Sequence, residues 1–348
     1  MKRGIVSIFL IALFLSCYTQ APEKYVPKTA RKRVRCATAE PGTYLKPPAL
    51  SLLKRMNRVM EDSTVKAPAP WVIEIFTKHQ KRLLDTVLVF NELEVPVRIY
   101  YPTKRSLQGQ QPAILFFHGG GFILGSVEQY HVMASKMARV TGQIIISVDY
   151  RLAPEHPFPA AVNDCFSVFQ WMQQFGSTLG VDTARISVAG DSAGGNLATV
   201  LTLVCRDEHV PQPYRQVLLY PALTFVETEY PSMTYFLKDP DRRYVLSESF
   251  LRRAKTAYLG SEGTDLNPYI SPMEAKLTGD LAPALIIAAE CDPLRDVERE
   301  YAEKLKAAGV EVKYLEYSGM IHAFMSFHMI LEEALDAMKE VRVYLGEN

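Results

Sequence analysis

The chain has 348 residues, of which 48% are hydrophobic and 22% charged, and 39 Lys and Arg against 38 Asp and Glu leave a net charge of +1. This is ordinary globular composition, and so balanced a charge excludes a broad electrostatic surface for nucleic acid. A chain of this length buries a large core as two domains or as one large α/β unit, so function has to be read from local motifs.

The first segment stands outside that core. Lys2 and Arg3 precede an apolar run from Ile5 to Leu15, broken only by Ser7. As a helix such a run rises about 16 Å, too short for a hydrocarbon layer of about 30 Å. It reads as the core of a signal peptide covering residues 1–17. The run closes on Phe14-Leu15-Ser16-Cys17, the shape of a bacterial lipobox, with Phe where Leu is usual. Cys17 is therefore a candidate lipidation site and membrane attachment point. A plain secretory signal with a chance cysteine, or an uncleaved signal anchor, are the alternatives. All but the last place the protein outside the cytoplasm, in the cell envelope or secreted. Residues 18–40 read as a linker, with Pro22, Pro27 and a basic cluster of Lys28, Arg31, Lys32, Arg33 and Arg35. Such a run is read as a solvated tether before it is read as a lipid-binding patch.

One large domain is expected over 41–348. Residues 41–80 read as helical, and Leu50, Leu53, Met56, Val59 and Met60 fall on one face of a helix. Strands follow at 86–90 and 95–101, separated by Asn91-Glu92. Continuous apolar runs at 113–117, 144–148, 185–189, 217–220, 284–289 and 310–317 read as strands buried on both faces. Helical stretches lie at about 160–175, 194–208, 295–308 and 328–345. Alternation of this kind predicts a mainly parallel sheet wrapped by helices. The interval from Pro221 to Leu281 is far longer than a crossover needs and is rich in aromatics, among them Phe225, Tyr230, Tyr235, Phe236, Phe250 and Tyr258. It reads as a helical cap over 223–280, joined by 41–80. The five cysteines (Cys17, Cys36, Cys165, Cys205, Cys291) show neither metal spacing nor Cys-x-x-Cys. No metal and no essential disulfide are expected, and Cys165 and Cys205 read as small core residues.

Gly190-Asp191-Ser192-Ala193-Gly194 fits G-x-S-x-G. Chance supplies such a pentapeptide easily, so the setting decides. It follows the apolar run Ile186 to Ala189 and opens a helix, the strand–turn–helix context of a nucleophile elbow. A serine hydroxyl needs a base to take its proton and a third group to orient that base. In this architecture the chain order is serine, acid, histidine. His322 follows the last predicted strand and is the expected base; His209 and His328 are its rivals. Asp292 directly follows the penultimate strand and is the expected acid; Asp296 is its rival, with a helix-N-terminal charge as its plain role. His118-Gly119-Gly120-Gly121 follows the third strand. Its backbone N–H groups, with that of Ala193, suit an oxyanion hole. His118 itself reads as structural.

Five ordered motifs carry a resemblance to one family: HGGGF at 118–122, YRLAPEHPFPAA at 150–161, GDSAGGN at 190–196, CDPLRD at 291–296 and GMIHAF at 319–324. They resemble the hormone-sensitive-lipase-like esterases, which include bacterial family IV carboxylesterases and arylacetamide deacetylases. The resemblance covers about 82–345. It implies an α/β-hydrolase fold, a mostly parallel eight-stranded sheet flanked by helices with a helical cap. It also implies a triad of Ser192, Asp292 and His322, and oxyanion donors at Gly120, Gly121 and Ala193, with Gly119 as a further contributor. Asp149, Arg151 and Glu155 would then hold a loop beside the site. Val297 departs from the pattern, where an acidic residue is expected. No cofactor and no metal are implied. The expected reaction is hydrolysis of short- to medium-chain carboxylic esters of small molecules through an acyl-enzyme. The alternatives are an amide deacetylase, a lipase on long chains, and a ligand-binding homologue without catalysis. The family's habits also make a homodimer through the last strand and helix an expectation.

Overall fold

The computed structural model describes residues 83–102, 109–238, 245–261 and 263–346, with short pieces at 34–35, 44–45 and 48–49. The expected signal peptide, most of the linker and the helix over 50–60 lie outside the described residues. Val34–Arg35 pairs antiparallel with Tyr44–Leu45.

Eight strands form one sheet: β1 Leu83–Phe90, β2 Leu93–Tyr100, β3 Gln111–Phe117, β4 Ile144–Val148, β5 Val181–Asp191, β6 Gln216–Leu219, β7 Ala284–Cys291 and β8 Val312–Ile321. Their spatial order is β8-β7-β6-β5-β3-β4-β2-β1. β1 and β2 form an antiparallel hairpin, β2 is antiparallel to β4, and the remaining pairs are parallel. The hairpin turns on Asn91 and Glu92, with φ of 49° and 67°, the two positive values that a tight hairpin matching the strand twist requires.

The apolar runs are buried because both faces of the sheet are covered. Ala113, Leu115 and Phe117 point into one core, with Val168 and Phe169 of α2 (Ala160–Phe175), Leu197 and Leu201 of α3 (Ala193–Asp207) and Tyr301 and Leu305 of α6 (Arg295–Ala307). Ile114 and Phe116 point into the other, with Met133 and Met137 of α1 (His131–Thr141) and Met338 and Val341 of α7 (Glu332–Tyr344). Each large side chain so buried stabilises the fold by about 1.5–3 kcal/mol. Between β6 and β7 the chain makes a long excursion carrying α4 (Pro231–Lys238) and α5 (Glu248–Leu259). The Ser247 side chain caps α5 by accepting the Phe250 N–H at 3.1 Å.

Several details differ from the expectations. Helix α1 was not anticipated: His131, Ser135 and Thr141 are buried along with its methionines and alanines, which blurs the polar–apolar contrast. Strand β5 starts earlier and β8 ends later than their apolar runs. The last helix begins at Glu332, after a short 3-10 turn at Phe324–Phe327, so His328 stands before it. Cys291 is disulfide-bonded; its partner lies outside the described residues, and the expectation was that no disulfide is essential. Cys165 and Cys205 are free and buried.

Candidate active site

Strand β5 ends at Asp191 and α3 begins at Ala193. Ser192 joins them with φ 55° and ψ −117°, a backbone conformation that L residues avoid and that a nucleophile elbow imposes. The turn is tight enough to demand glycine on either side. A Cβ at Gly190 would stand 2.1 Å from the Gly194 carbonyl oxygen, and one at Gly194 2.0 Å from that of Phe117. The strained residue is pinned: Ser192 N–H donates to Leu219 O at 2.9 Å, and its carbonyl accepts Ala222 N–H at 3.0 Å.

Acid and base leave adjacent strands at one level, because Cys291 of β7 is in register with Ile321 of β8. Asp292 and His322 are the next residues. His322 Nδ1 lies 2.6 Å from Asp292 Oδ2, and its Nε2 lies 2.9 Å from Ser192 Oγ. With Asp292 as acceptor, Nδ1–H donates to the carboxylate and leaves Nε2 to accept the Ser192 hydroxyl. Asp292 is fully buried and also accepts the Leu294 N–H at 2.9 Å. Tyr220 meets the His322 ring edge-on with centroids 5.1 Å apart. Glu290 Oε2 accepts the Ser318 hydroxyl at 2.9 Å and the Gly319 N–H at 2.7 Å, which fixes the approach to His322.

The rivals are occupied elsewhere. His209 is exposed beyond α3. His328 is buried, and burial with the nearby Lys136 charge lowers its imidazole to about 4. Asp296 accepts the Ser232 N–H at 2.8 Å and the Arg295 guanidinium at 2.6 Å, joining the first turns of α4 and α6.

The glycine loop packs beside Ser192, but its members differ. Gly119 N–H donates to Asp191 Oδ1 at 2.8 Å. That amide is consumed inside the protein, which corrects the expectation that Gly119 is an oxyanion donor. Gly120 and Gly121 follow with φ of 122° and 64°. Ala193 is buried at the start of α3. His118 is stacked on Tyr150 with centroids 4.3 Å apart, donates to Gly119 O at 2.9 Å and is buried, which lowers its pKa. It is a neutral structural group. Asp149 accepts the Val127 N–H at 3.1 Å, and Arg151 pairs with Asp164 at 2.7 Å. Glu155 is exposed and no contact to the loop distinguishes it.

Helix α5 closes over this loop. A Cβ at Gly121 would stand 2.9 Å from Phe250 Cζ. Further along, Tyr258 stacks on Phe122 with centroids 3.7 Å apart and an interplanar angle of 8°. Phe225 and Phe158 complete the cluster. Asp191, Tyr130, Glu290 and Tyr220 were missed as site residues. Asp191 stands inside a quoted motif, yet its identity alone gave no sign of its partners.

A serine on a strand–helix elbow at the edge of a mostly parallel eight-stranded sheet, hydrogen-bonded to a histidine and a buried aspartate, defines the α/β-hydrolase architecture. The chain belongs to the α/β-hydrolase fold family, in its hormone-sensitive-lipase-like branch, and the family pattern matches residues 114–326. It is 37% identical to a carboxylesterase, NlhH, of Mycobacterium tuberculosis over 244 residues, 70% of this chain and 75% of that one. It is 34% identical to an ethyl acetate hydrolase of Pseudomonas putida over 241 residues, 69% and 74% of the two chains. Among solved structures, an esterase of Pyrobaculum calidifontis superposes with a TM-score of 0.76 at 34% identity, covering 86% of this chain and 98% of that one.

Proposed function

We propose that the protein is a serine carboxylesterase that hydrolyses short- to medium-chain esters of small molecules through an acyl-enzyme. The observation that carries this is the continuous chain Ser192 Oγ, His322, Asp292, with contacts of 2.9 and 2.6 Å. The names of the relatives support the class of reaction.

In the mechanism, His322 Nε2 takes the Ser192 proton as Oγ attacks the ester carbonyl. Asp292 holds the ring in the tautomer that leaves Nε2 free and stabilises the imidazolium. The oxyanion rests on the N–H groups of Gly120, Gly121 and Ala193. The C–O bond breaks as the imidazolium protonates the departing alcohol. Water then attacks the acyl-enzyme by the same route, releasing the acid and restoring Ser192. Phe250 over Gly121 narrows the space beside the glycine loop, which supports short to medium chains if the acyl group lies there. The leader over 1–17, with lipidation at Cys17, supports export to the envelope as part of the same proposal.

The test is turnover of p-nitrophenyl esters from acetate to palmitate by wild type and Ser192→Ala. Short chains should be cleaved, with a loss of about 10⁴-fold or more in the variant. A folded wild type no faster than the variant on every ester would overturn the proposal and turn attention to anilides.

A further inference from the structure

Asp191 precedes the nucleophile and is fully buried, yet the acyl-transfer steps give it no task. Its two oxygens are both engaged. Oδ1 accepts Gly119 N–H at 2.8 Å, and Oδ2 accepts the Tyr130 hydroxyl at 2.9 Å. Gly119 lies directly on the carboxylate: a Cβ there would meet Asp191 Oδ2 at 2.7 Å and Tyr130 Oη at 2.9 Å. The first peptide of the glycine loop is thus tied to the turn that carries Ser192, across 72 residues of sequence. The next two peptides carry the N–H groups assigned to the oxyanion.

We propose that Asp191 is a positioning residue whose carboxylate charge holds the glycine loop in register with Ser192, so that oxyanion stabilisation depends on that charge. The inference rests on the esterase reading and deepens it. A hydrogen bond to an ionised acceptor is about twice as strong as a neutral one. A protonated Asp191 keeps only one good acceptor oxygen for two donors, so the tie loosens. Donors displaced by a fraction of an ångström from the developing oxyanion lose much of their effect.

The surroundings set where this happens. Asp191 is faced by the Gly119 amide and Tyr130 from the chain after β3, by Tyr150 after β4, by Tyr220 after β6 and by His322 after β8. Burial pushes its carboxyl up, and the Tyr130 and Gly119 bonds with the His322 charge hold it at about 6. Protonating Asp191 should therefore lower turnover on the acid side, on top of the loss that comes from protonating the base. Removing the Tyr130 hydroxyl removes one of the restraints and moves the Asp191 transition toward neutral pH.

The experiment is the pH dependence of kcat/KM on a neutral ester, with the Gly119 amide followed by NMR in the same full-length protein. In wild type the acid limb should steepen beyond a slope of 1 around the Asp191 transition, and the Gly119 amide shift should titrate with a midpoint near 6. In Tyr130→Phe one break of the limb and the amide midpoint should move up together. Asp191→Asn, which keeps an acceptor oxygen but no charge, should return the slope to 1 and lower kcat by roughly 10- to 100-fold with KM little changed. A slope of 1 with superimposed wild-type and Tyr130→Phe profiles and a Gly119 amide that does not titrate would overturn the inference, even if Asp191→Asn fails to fold. An amide that titrates as expected in a protein without esterase activity would instead sink the esterase reading and leave the tie standing.

Discussion

Glu298 is fully buried in the first turns of α6, and neither of its carboxyl oxygens has a hydrogen-bond partner. Burial, then the charges of Asp292 and Glu316, raise its pKa well above the ordinary value, with Arg295 only partly opposing them. The native state keeps a proton that the unfolded chain releases above the ordinary glutamate value of 4.5. The Glu298 contribution is therefore most favourable below that value and is lost as pH rises toward the folded-state pKa. Glu298→Gln removes the titration, so its Tm relative to wild type should climb steadily from pH 4.5 to pH 8 by differential scanning fluorimetry. A difference that stays flat over that range would mean that Glu298 is not held neutral. The sequence showed Val297 as a departure from the family's acidic position but gave no hint that the next residue buries a carboxyl; helix register decides that, and Val297 itself is core. The same limit applies to Gly119. That Ser192, His322 and Asp292 come together could be read because the chemistry proposed for them dictates residue type and chain order. The direction of one amide N–H, toward Asp191 rather than toward the site, is not written in residue type.

At the scale of elements, α5 is both roof and wall. The Tyr258–Phe122 stack anchors its far end to the residue that follows the glycine loop, while Phe250 near its start presses on Gly121. The aromatic excess between Pro221 and Leu281 announced such an excursion, but which ring faces the loop depends on the phase of the helix. Helix α1 escaped the sequence for a related reason, since it buries polar side chains among apolar ones. The requirement that β3 and β4, a parallel pair, be joined by a crossover was the signal that could have found it. Phe250→Ala should open the acyl side without touching Ser192. Each methylene newly buried is worth about 0.8 kcal/mol, close to fourfold in kcat/KM. The ester-series optimum should thus move to chains two or more carbons longer, with acetate turnover changed far less. An unchanged optimum would place the acyl chain elsewhere.

Across the whole molecule, the covalent link at Cys291 ties the end of β7 to chain outside the described residues. Cys291 is buried, precedes Asp292 and is in register with the residue before His322. The bond therefore anchors the point where Asp292 and His322 leave the sheet. Closing a long loop in the unfolded chain typically stabilises by about 2–4 kcal/mol. For a domain of this size that corresponds to a Tm loss of roughly 5 °C or more on reduction. The remaining described cysteines do not confuse the measurement. Burial pushes the Cys205 thiol up to about 12 and that of Cys165 well above its ordinary value, so both stay protonated and poorly reactive in the native state. Cys291→Ser should lower Tm as reduction does, and reduction of the variant should then have no further effect. Peptide mapping without reductant identifies the partner. A wild type whose Tm is indifferent to dithiothreitol, with Cys291 recovered as a free thiol after denaturation, would remove the disulfide from the account of stability. The site would then be held by the sheet register and the hydrogen bonds of Glu290 and Asp292 alone.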